Sequence, residues 1–330
     1  MLFQKAKMYS KIMEIRIVDN KYYFIVNMSG GSGRVRKIWH NVKHELNVRG
    51  IDYKAFKTEN AEHAKNLAYK LSKLNEDNIN IVVVGGDGTI NACLNGIDDF
   101  KKVIFGVIPS GSANDFARGL GIPKDCINAL DIILSDKPYK KIDIGQITIN
   151  DEKRLFGISS GIGLDAIVCK KALSSKIKNV LNKVGLGSLT YLILTVISLF
   201  TMDYIDTEIE IYDKEDNLSD TLKFNRMIFA AFMNVQAEGG GVPMAPDAKF
   251  DDGKLSLCIA SDISKLSAFA KLPLLVMAKQ EKIKGFKLLD ANKVIVRVKE
   301  PSVLHADGEY VGDETDVKIE CLCNILNMKY

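Results

Sequence analysis

The run IVVVGGDGTINACL, residues 81–94, restricts the fold more than any other stretch of the chain. Four branched apolar residues lead straight into Gly85-Gly86-Asp87-Gly88-Thr89, and a helical pattern follows. A strand that is apolar from its second residue on, here residues 80–84, belongs where helices cover both faces of a parallel sheet. The same order surrounds it. Residues 22–27 read as a strand, after which Val35, Ile38, Trp39, Val42 and Leu46 fall at helical spacing. Residues 51–57 make a second strand, and Ala61, Ala64, Leu67, Ala68 and Leu71 a second helical face. A helix over 89–97 and a fourth strand over 103–108 continue the series. Strand and helix in alternation mean a layered α/β domain.

After Pro123 the rhythm changes. Segments 141–149, 155–159, 207–212, 224–233, 255–259, 284–289, 294–298, 303–306 and 317–322 read as strands, without a helix in every gap. Helices are expected only near 164–202 and 264–280. The expected fold is an α/β nucleotide-binding domain with a parallel sheet between helices, residues 1–130. A β-rich, sandwich-like domain with helical insertions follows over 131–330. No repeat or low-complexity tract interrupts either half.

The net charge of +4 is too mild to imply nucleic acid. Cys93, Cys126, Cys169, Cys258, Cys321 and Cys323 form no CxxC pairs, so no zinc site is expected and the usage fits a reducing cytoplasm. Charges break up residues 1–16, which lack the apolar core of a signal peptide. The longest apolar run, 186–202, is near the short limit for a membrane span but holds two serines, three threonines and a glycine. A buried or membrane-touching helix is expected there.

Three glycine-bearing loops follow strands, so all three should crowd the carboxyl edge of the sheet, where ligands of α/β domains bind. In the first, Gly85, Gly86 and Gly88 allow close backbone approach, and successive N–H groups form an anion nest at a helix start. Thr89 offers a hydroxyl. Asp87 repels phosphate unless a cation or a proton transfer involves it, although Asp-Gly is also a common turn pair. The second loop, Ser29-Gly30-Gly31-Ser32-Gly33-Arg34, is not a GxxxxGK[ST] loop. The third, Pro109-Ser110-Gly111-Ser112-Ala113-Asn114-Asp115, opens a helix, and a simple Asn or Asp cap competes with ligand binding.

GGDGT followed by a strand and PSGSANDFARGLGIP resembles the diacylglycerol kinase catalytic family of lipid kinases, especially its soluble bacterial members. Sphingosine and ceramide kinases are relatives. The resemblance extends over nearly the whole chain, through the 27–33 loop, GISSGIGLDA at 157–166, GGGVPMAPDAKFDD at 239–252 and HADGE at 305–309. NAD kinases are similar in fold but carry an Asn-Glu-Asp-type segment where this chain has Ser112-Ala113-Asn114-Asp115. Relatives more often have Gly-Thr where this chain has Gly111-Ser112, which keeps the hydroxyl.

The resemblance implies ATP and Mg2+ as cofactors and phosphoryl transfer to a lipid hydroxyl, with diacylglycerol as the first acceptor to test. Phosphatidylglycerol, sphingoid lipids or NAD are alternative acceptors, and a silent lipid- or nucleotide-binding regulator is an alternative of another class. The nucleotide site it implies comprises Asn27, Ser29, Gly30, Gly31, Ser32, Gly33, Thr58, Gly85, Gly86, Asp87, Gly88, Thr89, Asn91 and Ser112. Glu309 is implied as proton acceptor with Asp307 beside it, and Asp87 as carrier of the catalytic magnesium, directly or through water. A second, structural magnesium is implied at the Asp252 side chain and the main-chain carbonyls of Lys249 and Lys254. Read without the family, Asp307-Gly308-Glu309 is a hairpin tip and Asp251-Asp252-Gly253 a β-turn.

On the acceptor side, Leu173, Ile177, Val180, Leu181 and Val184 share one helical face, with Lys170, Lys171, Lys176, Lys178 and Lys183 around it and no acid within 168–184. Such a helix can lie on an anionic bilayer, and equally can be a surface helix with solvated lysines. With the apolar run 189–200 it is expected to guide lipid to the cleft. The expected partners are a lipid substrate at a membrane surface and, peripherally, that membrane. A homodimer is left open, and the expected location is cytoplasmic.

Overall fold

The computed structural model describes residues 21–28, 33–174 and 187–330. The expected loop residues Ser29, Gly30, Gly31 and Ser32 lie outside these, as do Lys176, Lys178 and Lys183 of the basic stretch.

The first half alternates as its apolar periodicity requires. Strands β1 (Tyr22–Asn27), β2 (Tyr53–Thr58), β3 (Ile79–Gly85) and β4 (Val103–Pro109) pair in parallel in the order β2-β1-β3-β4. Helices α1 (Arg34–Val48), α2 (Ala61–Ser72) and α3 (Asp87–Leu94) connect them. Each amphipathic helix turns its apolar stripe to the sheet: Val35, Trp39, Val42 and Leu46 of α1 are buried, as are Ala64, Ala68 and Leu71 of α2. Asn60 caps α2 by accepting a hydrogen bond from His63 N at 2.8 Å. The third helix starts at Asp87, two residues earlier than its apolar pattern suggests, which places that acid in the first turn. Short α4 (Asp115–Gly119) and α5 (Cys126–Leu134) follow β4. α5 packs on β4 and α1, so the first half runs beyond residue 130 to the end of that helix.

The second half is antiparallel. β5 (Lys140–Ile149), β6 (Glu152–Phe156), β7 (Ser159–Gly163), β8 (Ile205–Tyr212), β9 (Leu218–Met233), β10 (Leu255–Ser261), β11 (Phe286–Ala291), β12 (Lys293–Ala306) and β13 (Glu309–Met328) build it. Along one path the order is β11-β10-β9-β7-β12-β13, with β8 joining β12 and β9, and β5 joining β13 and β6. Three differences from the sequence reading stand out. The strand expected over 155–159 is the junction of β6 and β7, where Gly157 packs so tightly that a side-chain carbon would stand 2.7 Å from Phe116. The separate strands 294–298 and 303–306 are one strand, with register shifts between Arg297 and Ser302 and between Leu304 and His305. β13 runs for 20 residues. After a register break between Leu322 and Leu326 its last residues pair in parallel with β4, Asn327 opposite Ile104 and Met328 opposite Phe105. The chain end therefore closes the first sheet.

Three cores result. One surrounds the parallel sheet, centred on Phe24, Ile81, Phe105 and Leu130. A second lies inside the β-rich half around Ile209, Phe232, Leu257 and Leu304. The third lies between β9 and β10 and the helices α6 (Leu164–Ser174), α7 (Gly187–Thr201) and α8 (Lys265–Val276). Among the described residues no helix is long and apolar enough to cross a membrane.

Candidate active site

The strand order reverses between β1 and β3, and open α/β sheets bind ligands at that crevice. Asn27 ends β1 and donates from Nδ2 to Thr89 Oγ1 at 2.8 Å across it. Thr89 is nearly buried, and it explains Gly85: a side-chain carbon there would stand 2.7 Å from Thr89 Cβ. Next to it, Gly86 faces Gly111 of the loop after β4. A side-chain carbon on Gly111 would stand 2.7 Å from Gly86 Cα and 2.9 Å from Asn114 Oδ1. Ser110 N donates to Gly85 O at 2.9 Å, so the two loops form one surface. Asn114 closes the second loop, accepting from Gly111 N at 2.8 Å and donating to Gly111 O at 3.0 Å. It takes φ 53°, a left-handed value that asparagine tolerates. Ser112 is exposed on this loop, and Gly33, at φ 90°, precedes the first helix. Thr58 at the end of β2 and Ser110 are both buried, and their hydroxyl oxygens have no hydrogen-bond partner among the described residues. Buried unpaired hydroxyls are costly.

Asp87 accepts from Asp115 N and Phe116 N, each at 3.2 Å, and so joins the start of α3 to the start of α4. Burial, then the neighbouring Asp115 carboxylate, pushes the Asp87 pKa up to about 6. Asp115 is itself buried, accepts from Gly240 N at 2.7 Å and pairs with Arg118. The sequence reading treated Asp115 as a helix cap and as part of the family-type segment, not as a site residue. An acid closing the third loop was the signal available.

The HADGE hairpin reaches this edge from the other half. Asp307, at φ 49°, does not face an open cleft with a free carboxylate. Its Oδ2 accepts from Asn91 Nδ2 at 2.7 Å and Gly157 N at 2.9 Å, and its Oδ1 from Ile158 N at 2.7 Å and Ser159 N at 3.1 Å. With four donors satisfied it works as a clamp between α3, the β6–β7 junction and β12. Asn91 is drawn in with it: its amide nitrogen donates to Asp307 and to Leu155 O at 2.9 Å. Both donors of this expected nucleotide ligand go to protein. Glu309 is placed differently. A side-chain carbon on Gly88 would stand 3.4 Å from Glu309 Oε1, so this carboxylate lies over the first turn of α3. Among the described residues it has no hydrogen-bond or ion-pair partner.

Behind the hairpin lies a cluster that the sequence reading did not select. His305 is buried, with Nε2 3.2 Å from Asp165 Oδ2 and 4.0 Å from Glu238 Oε2, and Ser159 Oγ donates to Glu238. Gly161 leaves the room for this contact, since a side-chain carbon there would stand 1.8 Å from Asp165 Oδ2. Gly308 N donates to His305 Nδ1 at 3.3 Å, so the proton of a neutral ring sits on Nε2 and points at Asp165. That leaves no Nε2 lone pair for a metal, although two carboxylates lie close by. Burial pushes Glu238 up to about 7.

The 249–254 turn is fastened by protein groups. Asp143 N donates to Phe250 O at 2.7 Å, Gly253 N to Asp143 Oδ2 at 2.7 Å, and Asn292 Nδ2 to Gly253 O at 2.6 Å. Lys249, Asp252 and Lys254 are exposed, and Asp252 Oδ1 accepts from Lys254 N at 3.1 Å. Burial, then the nearby Asp252 and Asp251, pushes the Asp143 pKa up. Of the basic stretch, Lys170 is held by Asp313 at 2.8 Å and lies 4.4 Å over the Tyr310 ring.

Residues 21–147 match the model of the diacylglycerol kinase catalytic domain, and residues 159–329 that of the YegS C-terminal NAD kinase beta sandwich-like domain. The chain is 30% identical over 292 residues to a diacylglycerol kinase of Bacillus subtilis, covering 87% of this chain and 89% of that one. It is 29% identical over 310 residues to one of Staphylococcus carnosus, covering 92% and 91%. A solved diacylglycerol kinase structure from Bacillus anthracis superposes with a TM-score of 0.66 at 20% identity, over 94% of this chain and 97% of that one, which shows a shared fold. The two matched domains together take in nearly all of the described chain, and it belongs to the diacylglycerol kinase family of lipid kinases.

Proposed function

We propose that this lipid kinase transfers the γ-phosphoryl group of ATP to a lipid hydroxyl, that of diacylglycerol first of all, giving phosphatidic acid. The observation that carries the reading is Glu309, a carboxylate without a protein partner above the phosphate-type loop at Gly88. In this reading the turn from Gly85 to Asn91, with Gly33, Asn27, Thr58 and Ser112, receives the nucleotide on the sheet edge, through the N–H groups ahead of Thr89, since those of Thr89 and Ile90 already donate to Gly86 O. The orphaned hydroxyls of Thr58 and Ser110 support that placement. Glu309 takes the proton of the acceptor hydroxyl as its oxygen bonds to the γ-phosphorus and the bond to the β-phosphate oxygen breaks. Asp307 holds the hairpin, and Asn91 positions Asp307.

Asp87 fits a divalent cation, because burial and the neighbouring Asp115 carboxylate disfavour it as a bare anion; Asp115, which burial alone disfavours and Arg118 offsets, stands beside it. When bound, Mg2+ would neutralise phosphate charge there. A second cation on Asp252 and the carbonyls of Lys249 and Lys254 would relieve the repulsion among Asp143, Asp251 and Asp252. The acceptor reaches the cleft from a membrane that the protein touches peripherally, on the cytoplasmic side.

The test is a kinase assay with magnesium-ATP and a panel of diacylglycerol, phosphatidylglycerol, sphingosine, ceramide and NAD. Phosphorylation of diacylglycerol above the others is expected. Turnover of NAD alone would replace the acceptor, and ATP binding with no turnover of any acceptor would refute the transfer reaction.

A further inference from the structure

Helix α8 breaks the usual pattern of a surface helix. Its residues Leu266, Phe269, Ala270, Pro273 and Val276 fall at helical spacing, all are apolar, and all are exposed. Leu266 is 69% and Val276 63% exposed, and Met277 just beyond is 57%. The opposite face, with Leu272, Leu274 and Leu275, packs into the third core. A helix apolar on its outer as well as its inner face needs an apolar neighbour outside as well as inside. At 12 residues α8 is far too short to span a bilayer, which takes about 20.

The stripe does not end with the helix. Leu192, Ile193, Ile197 and Phe200 of α7 are exposed too, and the Phe200 and Phe269 rings meet at 6.0 Å between centroids. Lys265 Nζ donates to Met202 O and, at 3.4 Å, to Phe200 O, tying the start of α8 to the end of α7. The two stripes therefore share one surface.

Its rim is basic. Residues 265–284 contain Lys265, Lys271, Lys279, Lys282 and Lys284 against the single acid Glu281. Among the described residues Lys271, Lys279, Lys282 and Lys284 form no ion pair. We propose that α8, joined to α7 through the Phe200–Phe269 contact, is the face on which the protein lies on an anionic bilayer, apolar stripe inserted and lysines at the headgroups. An apolar face with a lysine rim is the combination that binds such interfaces. A second copy of the chain is a poorer occupant, because a two-fold contact would set the same lysines against each other. The inference rests on the lipid-kinase reading, since a kinase of a membrane lipid must meet its acceptor at the bilayer.

The test uses the full chain and vesicles of phosphatidylcholine, with or without phosphatidylglycerol. Wild type should sediment with the anionic vesicles. The triple variant Leu266→Glu, Phe269→Glu, Val276→Glu should bind them roughly tenfold or more weakly. It should lose turnover of long-chain diacylglycerol in vesicles and keep turnover of a water-soluble short-chain diacylglycerol. Lys271→Glu with Lys279→Glu should abolish the preference for anionic vesicles. If the triple variant does not fold, the milder pair Phe269→Ser and Val276→Ser carries the same comparison. Wild-type-like vesicle binding by the variants overturns the proposal. So does a lipid-free dimer, seen by sedimentation velocity, that Leu266→Glu dissociates. Absence of short-chain turnover by the wild type would sink the kinase reading instead, with vesicle binding still deciding the surface.

Discussion

Asp307→Asn separates a clamp from a catalytic acid at the site's central hairpin. The wild-type carboxylate accepts two N–H groups on each oxygen, at 2.7 and 2.9 Å on one and 2.7 and 3.1 Å on the other. An asparagine has one acceptor oxygen. Whichever way its amide turns, an NH2 group faces two donors, and both hydrogen bonds are lost. Hydrogen bonds to a charged group contribute about 1.5–3 kcal/mol each, so the variant should be destabilised by ~3–6 kcal/mol. Urea unfolding, followed by the midpoint and slope, reads this directly. Glu309→Gln is the control, because its carboxylate has no protein partner to lose among the described residues. Its stability should stay within about 0.5 kcal/mol of wild type, as for other changes away from packing and networks. If Asp307→Asn abolishes turnover while unfolding within about 1 kcal/mol of wild type, the clamp argument fails and Asp307 belongs to the chemistry.

Further expectations come from the same geometry. Glu309→Gln should lower kcat by roughly 10²–10⁴-fold, the range for loss of a general base, with ATP binding retained in equilibrium dialysis. For Asp87 the folded pKa of about 6 lies above the unfolded value of 3.8. The ionised carboxylate therefore opposes folding at pH 7, and stability gains on this account as pH falls from about 7 through 6 toward 4. Asp87→Asn removes this burden of about 3 kcal/mol but turns an NH2 group toward one of the two backbone donors, a loss of about 1.5–3 kcal/mol, so its stability at pH 7 should change little while that part of the pH slope in thermal melts disappears and turnover is abolished. A pH slope between 7 and 4 equal to that of wild type would contradict the assignment. Gly111→Ala should force the loops after β3 and β4 apart, costing about 1–3 kcal/mol and weakening nucleotide binding, as a fluorescent ATP analogue would report.

The sequence by itself determined the parallel half. β1 and β3 are almost wholly apolar, α1 and α2 carry one apolar stripe each, and both signals are local, so they survive without knowledge of neighbours. It also located the glycine loops, because a strand that ends on glycine and an acid is visible in five residues. The second half was less legible. β7 is five residues, two of them glycine, and only its pairing with β9 and β12 makes it a strand. β13 could not be read at its full length, since its end is held by β4, more than 200 residues earlier in the chain. Tertiary structure alone decided the roles of the acids. Asp307 and Glu309 are two positions apart, yet one is enclosed by four donors and the other stands free above Gly88. Asp115, Glu238 and His305 join the site by contacts across 28 to 140 residues of chain, as in Asp115 with Asp87 and His305 with Asp165. Periodicity and motif record what a residue does to its own segment. Burial, repulsion and hydrogen bonding between distant segments set what a carboxylate can do, and those exist only once the chain has folded.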